Sequence, residues 1–299
     1  GVGMASALAV LADDTVKHGP LEVLLTMTEE TGMDGAFGLQ PGWLQADILI
    51  NTDSEEEGEI YMGCAGGIDV KTTVDLTYET IPANHLVKKL VLKGLNGGHS
   101  GGDIHLGLGN ANKLLARFLA EHADELALKL IDFHGGTLRN AIPREAHIIF
   151  AIPADKATQL NSITTEFEAL LKSELAIAEK NLAIELTDTS TEKPVFTADC
   201  QSRTINLLNA MPNGVIRMSD DVEGVVETSL NVGVVSIVDD KVEILCLIRS
   251  LIDSGKTYVV SMLTALAKLA QADIETKGGY PGWKPDADSP VMHLVRDTY

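Results

Sequence analysis

Positive charge is scarce in this 299-residue chain. Lys and Arg number 23 against 43 Asp and Glu, which leaves a formal charge of -20. A chain this acidic is repelled by phosphate backbones and anionic lipid, so neither nucleic acid nor a membrane surface is expected as a partner. Long apolar runs are absent as well: none reaches the eighteen or so residues of a spanning helix. Cysteine is sparse, and Cys64, Cys200 and Cys246 lie far apart. That usage fits a reducing cytosol better than a disulfide framework. The chain opens Gly1-Val2-Gly3-Met4 with neither an initiator nor a signal-peptide pattern. An apolar stretch follows at once, and residues 289–299 read as a helix that simply stops. The chain is therefore expected to be a segment of a larger protein. What remains is a composition for a folded core: 45% of residues are hydrophobic, enough for one large domain or two ordinary ones.

The pattern along the chain changes character once. Residues 3–13 are rich in helix formers with apolar side chains on most faces and predict a buried helix. Residues 21–27 (LEVLLTM) and 46–50 (ADILI) are short apolar runs of the kind found in buried parallel strands, with helix and loop between them. After Gly66-Gly67 the strands alternate more openly and are interleaved with amphipathic helices over 104–125 and 159–180. Residues 225–238 and 241–251 predict a strand pair turning at Asp239-Asp240. Asp253 or Ser254 caps a helix running to about residue 270. Two rounds of strands and helices hint at an internal duplication. Tyr280-Pro281-Gly282 marks a second boundary. The fold expected is α/β: a partial, mostly parallel sheet domain over 1–66, an inserted α+β domain over 67–281, and a return to the first domain over 282–299.

Three motifs could carry chemistry. Thr28-Glu29-Glu30-Thr31-Gly32 follows the first apolar run, where the ligand crevice of a parallel sheet lies. Adjacent carboxylates there can divide their work, one binding a cation and the other taking a proton from water. Two solvated acids are the plainer reading. Asn51-Thr52-Asp53 ends the second run and could share that cleft if the two strands are neighbours. Asn96-Gly97-Gly98-His99-Ser100-Gly101-Gly102 sets four glycines around one histidine, a loop that can push the imidazole toward a substrate. A phosphate cradle is disfavoured because no Gly-Lys-Ser/Thr follows. Gly1-Val2-Gly3 faintly suggests a dinucleotide loop, which is discounted because Ser6 stands at its third glycine position. Arg249, after an apolar strand, is either a structural ion pair with Asp253 or a carboxylate receptor.

Together, TMTEETGMDGA, NTDSEEEGEIYMGCAGG, GGHSGGDIHLGLGNANKLL, GGTLRNAIPREA and CLIRSLIDS resemble the bacterial aminoacyl-histidine dipeptidases. These belong to the co-catalytic zinc exopeptidases, with the carboxypeptidase-G and aminoacylase families. The resemblance implies a cytoplasmic enzyme that hydrolyses dipeptides with two zinc ions and closes an inserted lid over the substrate; such relatives often pair as homodimers. It implies Glu29 as general base, Glu30 and Asp53 as zinc ligands, and His99 as the lid histidine that steadies the oxyanion. It further implies Asn140 as the lid asparagine and Arg249 as the holder of the substrate carboxylate, with Asn231 a rival. The family's upstream His-x-Asp pair, bridging aspartate and late histidine have no counterpart in these 299 residues, so the chain alone is expected to be inactive. Two other readings stand beside this one: a non-catalytic relative that keeps the lid as a binding or dimerisation module, and an amidase acting on acylated amino acids.

Overall fold

A computed structural model describes all of the chain except residues 30–32, 54–57, 287 and 299. Its contacts fall into two units, Gly1–Met62 with Asp286–Tyr299, and Gly63–Pro285.

The smaller unit holds helices α1 (Val2–Ala12), α2 (Asp34–Phe37) and α7 (Pro290–Thr298). None has a buried residue, so the burial expected of the first helix is not found. The runs 21–27 and 46–50 also depart from expectation, because neither forms a strand ladder among the described residues. A parallel strand is stable only when hydrogen-bonded neighbours and two covered faces surround it. Here Leu25 is 53% and Leu49 77% exposed. One carboxylate ties the two runs: Glu22 Oε2 accepts from Gln45 N at 2.8 Å and Ala46 N at 2.9 Å.

The larger unit runs β1 (Gly66–Asp75), β2 (Tyr78–Glu79), β3 (His85–Lys93), β4 (Gly98–His99), α3 (Ala111–His122), β5 (Lys129–Gly135), β6 (Ala141–Ile142) and β7 (Ala146–Pro153). It continues through α4 (Ala157–Glu174), β8 (Ala183–Asp188), β9 (Val195–Phe196), α5 (Ala198–Ala210), β10 (Gly214–Met218), β11 (Val226–Val238), β12 (Lys241–Ser250), α6 (Asp253–Leu269) and β13 (Asp273–Tyr280). The main sheet is ordered β13-β1-β12-β11-β5-β7-β3-β8, with β10 beside β11, and its neighbours are antiparallel.

That order resolves into two copies of one pattern. Elements β3-α3-β5-β7-α4-β8 pair as β5-β7-β3-β8, and β1-α5-β11-β12-α6-β13 pair as β11-β12-β1-β13. Each is the β-α-β-β-α-β arrangement of ferredoxin-like folds. The first copy is inserted between β1 and α5 of the second, so we call them the inserted and the enclosing half. They meet edge to edge, where Val235 of β11 faces Gly135 of β5. One continuous core lies between the sheet and its helices, and it includes Leu90, Leu115, Phe118 and Phe150 from the inserted half and Val242, Ile244, Val259 and Leu263 from the enclosing half. Alternation of apolar residues on strands and helices builds that core, and its burial is the main stabilising term.

Candidate functional site

The glycine loop pairs as β4 with β6 in a two-stranded sheet of its own, with Gly98 opposite Ile142 and His99 opposite Ala141. Ser100 N donates to the carbonyl of Asn140 at 2.9 Å. Asp103 closes the turn twice: its Oδ2 accepts from His99 N at 2.7 Å, and its own N donates to the His99 carbonyl at 3.0 Å. The imidazole is held from behind, because Gly101 N and Gly102 N point at Nδ1 from 3.3 and 3.1 Å. An acceptor with two N–H groups aimed at it carries no proton, so the neutral ring bears its hydrogen on Nε2. Burial and the neighbouring Arg249 both lower the His99 pKa, while Asp103 opposes them weakly.

Arg249 reaches the same place from β12, across the two halves. Its Nη2 stands 3.4 Å from His99 Nε2. Both groups are donors, so this is a side-by-side pair of N–H bearers with no acceptor between them. The buried Arg249 Nε has no hydrogen-bond partner, and the guanidinium pairs with no carboxylate among the described residues. Asp253, expected as its ion-pair partner, is engaged elsewhere: it pairs with Lys256 at 2.9 Å. Gly101 keeps His99 and Arg249 close. A Cβ there would lie 3.1 Å from His99 Cε1 and 3.2 Å from Arg249 Nε.

Asn140 stands at the end of the β5–β6 turn, partly exposed, with no side-chain hydrogen bond among the described residues. Its rival Asn231 is fully buried, and its Nδ2 donates to the carbonyls of Arg139 at 3.0 Å and Ala141 at 2.8 Å. Asn231 thus supports the turn that presents Asn140, and Asn140 is the one with polar atoms to spare. Sequence reasoning did not single out Asp103 or the Gly101 and Gly102 amides, although an acid four residues after the histidine was a readable signal.

The remaining expected residues lie in the smaller unit. Glu29 is exposed and follows Thr28, a β-branched residue at φ +59°. Such a conformation is strained and collects at functional turns. Thr28 Oγ1 accepts from Asp34 N at 3.2 Å. Asp53 is exposed, and its N donates to Asn51 Oδ1 at 3.0 Å. Glu30 lies outside the described residues. Among the described residues no three His, Cys, Asp or Glu side chains gather as a metal ion needs. Asp53 by itself does not fit the roughly four-donor shell of zinc.

Comparison with known proteins extends the likeness seen in the motifs. Residues 90–179 match the family described as the peptidase dimerisation domain. The whole chain is 68% identical to the cytosol non-specific dipeptidase of Escherichia coli (strain K12), covering 62% of that protein. The crystal structure of aminoacylhistidine dipeptidase from Vibrio alginolyticus matches all of this chain with a TM-score of 0.96 and 59% identity, and 61% of that chain is covered. The chain thus spans about three-fifths of the length of these relatives, and its resemblance to the aminoacyl-histidine dipeptidases runs from end to end.

Proposed function

We propose that the protein carrying this chain is a dipeptidase of the cytosol, acting on dipeptides that include the Xaa-His type. The larger unit is its lid and the smaller unit part of its catalytic domain. The observation that carries this reading is the pairing of neutral His99 with an Arg249 that has no carboxylate partner among the described residues, in a chain of net charge -20. A guanidinium left open in so acidic a protein is suited to an incoming anion. A dipeptide offers two: its terminal carboxylate, and the oxyanion that forms when water attacks the scissile carbonyl.

The names of the relatives support the substrate class. The resemblance supports a divalent-metal requirement, with zinc the expected ion bound in part by Glu30 and Asp53, and the dimerisation-domain match supports a homodimer. Because Asp53 is the one expected ligand among the described residues, the steps assigned here belong to side chains alone. Arg249 and Asn140 hold the substrate, Arg249 by its carboxylate. Glu29 takes the proton of the attacking water and passes it to the leaving amine. His99 donates from Nε2 to the oxyanion.

The test is hydrolysis by the full-length protein of an Xaa-His dipeptide and of an N-acyl amino acid, before and after chelation. Cleavage of the dipeptide that is lost on chelation is expected. Preference for the acylated amino acid would make the enzyme an amidase, and no cleavage of either would leave a binding module.

A further inference from the structure

The loop that carries His99 leaves β3 at Gly94 and enters α3 at its cap, Asn110, and both of its ends are tied to one buried carboxylate. Glu179 stands in the turn between α4 and β8 and is 2% exposed. Its Oε2 accepts from Asn96 N at 2.7 Å, and its Oε1 accepts from Gly109 N at 2.8 Å. Asn96 adds a side-chain bond to the carbonyl of Ala178 beside it. Among the described residues Glu179 has no Lys, Arg or His partner.

Burying a carboxylate without a counter-ion is costly. The end of α4 does not require it, since Leu175 N already donates to the carbonyl of Leu171. A carboxylate differs from every other side chain in presenting two acceptor oxygens and no donor. It can therefore close a loop on two backbone N–H groups at once, where glutamine would set its NH2 against one of them. Within the closed loop the remaining contacts lead inward: Asp103 fixes His99 N, and the Gly101 and Gly102 amides fix Nδ1.

We propose that Glu179 is a positioning residue for His99, holding both ends of the glycine loop on one carboxylate so that the imidazole stands against Arg249. The assignment rests on the reading that His99 and Arg249 meet the substrate. Loosening the clamp would let His99 drift toward water and away from Arg249, weakening both causes of its low proton affinity.

The experiment compares wild type, Glu179→Gln, His99→Ala and the double variant in the full-length protein. Histidine resonances are titrated by NMR, with the His99→Ala spectrum to identify the His99 signal, and kcat and KM are measured on an Xaa-His dipeptide. Glu179→Gln is expected to raise the His99 pKa and to lower kcat on the order of 10²-fold, the scale of a misplaced catalytic group. Without His99 it should change kcat little further, as coupled residues do. An unmoved His99 titration in the folded variant, or an equal loss of kcat with and without His99, would overturn the proposal. Should Glu179→Gln not fold, Glu179→Asp keeps the charge, reaches only one of the two N–H groups and carries the same comparison. If wild type cleaves no dipeptide, the dipeptidase reading fails while the titration still decides the role of Glu179.

Discussion

At His99 the two ring nitrogens have different fates because their surroundings differ. Nδ1 faces two backbone N–H groups, so a proton placed there would turn an acceptor into a third donor aimed at the other two. Nε2 faces Arg249, and its hydrogen is free for an acceptor that neither side chain supplies. Removing it by His99→Ala in the full-length protein is expected to lower kcat by about 10²–10³, the usual effect of losing one oxyanion donor. Steady-state kinetics check this, and an unchanged kcat would remove His99 from the reaction. The same surroundings set a pH dependence of stability. The unfolded chain protonates His99 near its ordinary value of about 6.5, whereas the folded protein does so at lower pH. Between those two values the unfolded state holds more protons, so the contribution is complete above pH 6.5 and is lost as pH falls below it. Urea unfolding at pH 7.5 and pH 5.5 should show a larger loss for wild type than for His99→Gln; an equal loss would contradict the depressed pKa.

At the scale of elements, helix α5 ends on a cation rather than on a glycine. Lys113, projecting from α3, donates its Nζ to the carbonyls of Leu208, Asn209 and Met211, the last two at 2.9 and 2.6 Å. Burial lowers its pKa to about 8, so at pH 7 it still offers three protons to three carbonyls at the negative end of the helix dipole. Lys113→Met would leave those carbonyls unpaired and is expected to cost about 2 kcal/mol in urea unfolding. Legibility in the sequence divides at this scale. The β11–β12 pair could be read because Asp239 and Asp240 form its turn at φ +49° and +55°, a conformation that short acidic side chains tolerate. The helix after Asp253 and the more openly alternating strands after Gly66-Gly67 were legible from periodicity, though the bounds of β1 and β3 were not. That 21–27 and 46–50 form no ladder among the described residues was not legible, because an apolar run suggests burial but does not show whether a neighbour provides it. Nor does periodicity reveal that β1 waits for α5 across a whole inserted half, since pairing is a long-range choice. Four glycines around His99 advertised the loop, whereas Glu179, near the end of the helix expected over 159–180, reads like any solvated acid.

For the larger unit as a whole, the consequence of the duplication is that the candidate site has two owners. His99 belongs to the inserted half and Arg249 to the enclosing half, so their 3.4 Å separation depends on how the halves are joined. The joint is built on close backbone approach. Gly136, just past the Gly135–Val235 pair, sits at φ +72°, and a Cβ on it would lie 1.8 Å from the carbonyl oxygen of Gly233 in β11. On the opposite side, a Cβ on Gly233 would fall 2.7 Å from the backbone of Arg139. No rotamer relieves a clash with main chain, so the strands themselves would have to part. Gly136→Ala is expected to cost about 3 kcal/mol, the range of special-backbone and overpacking changes. It should also lower kcat of the fraction that remains folded, because parting the halves moves His99 from Arg249. Gly224 supplies the control: it has the same backbone sign at φ +79° but open space where the Cβ would go. Gly224→Ala should cost only about 1 kcal/mol and leave kcat intact. Thermal unfolding and kinetics on both variants separate strain from misalignment, and equal kcat values would mean that the joint does not govern the His99–Arg249 pair.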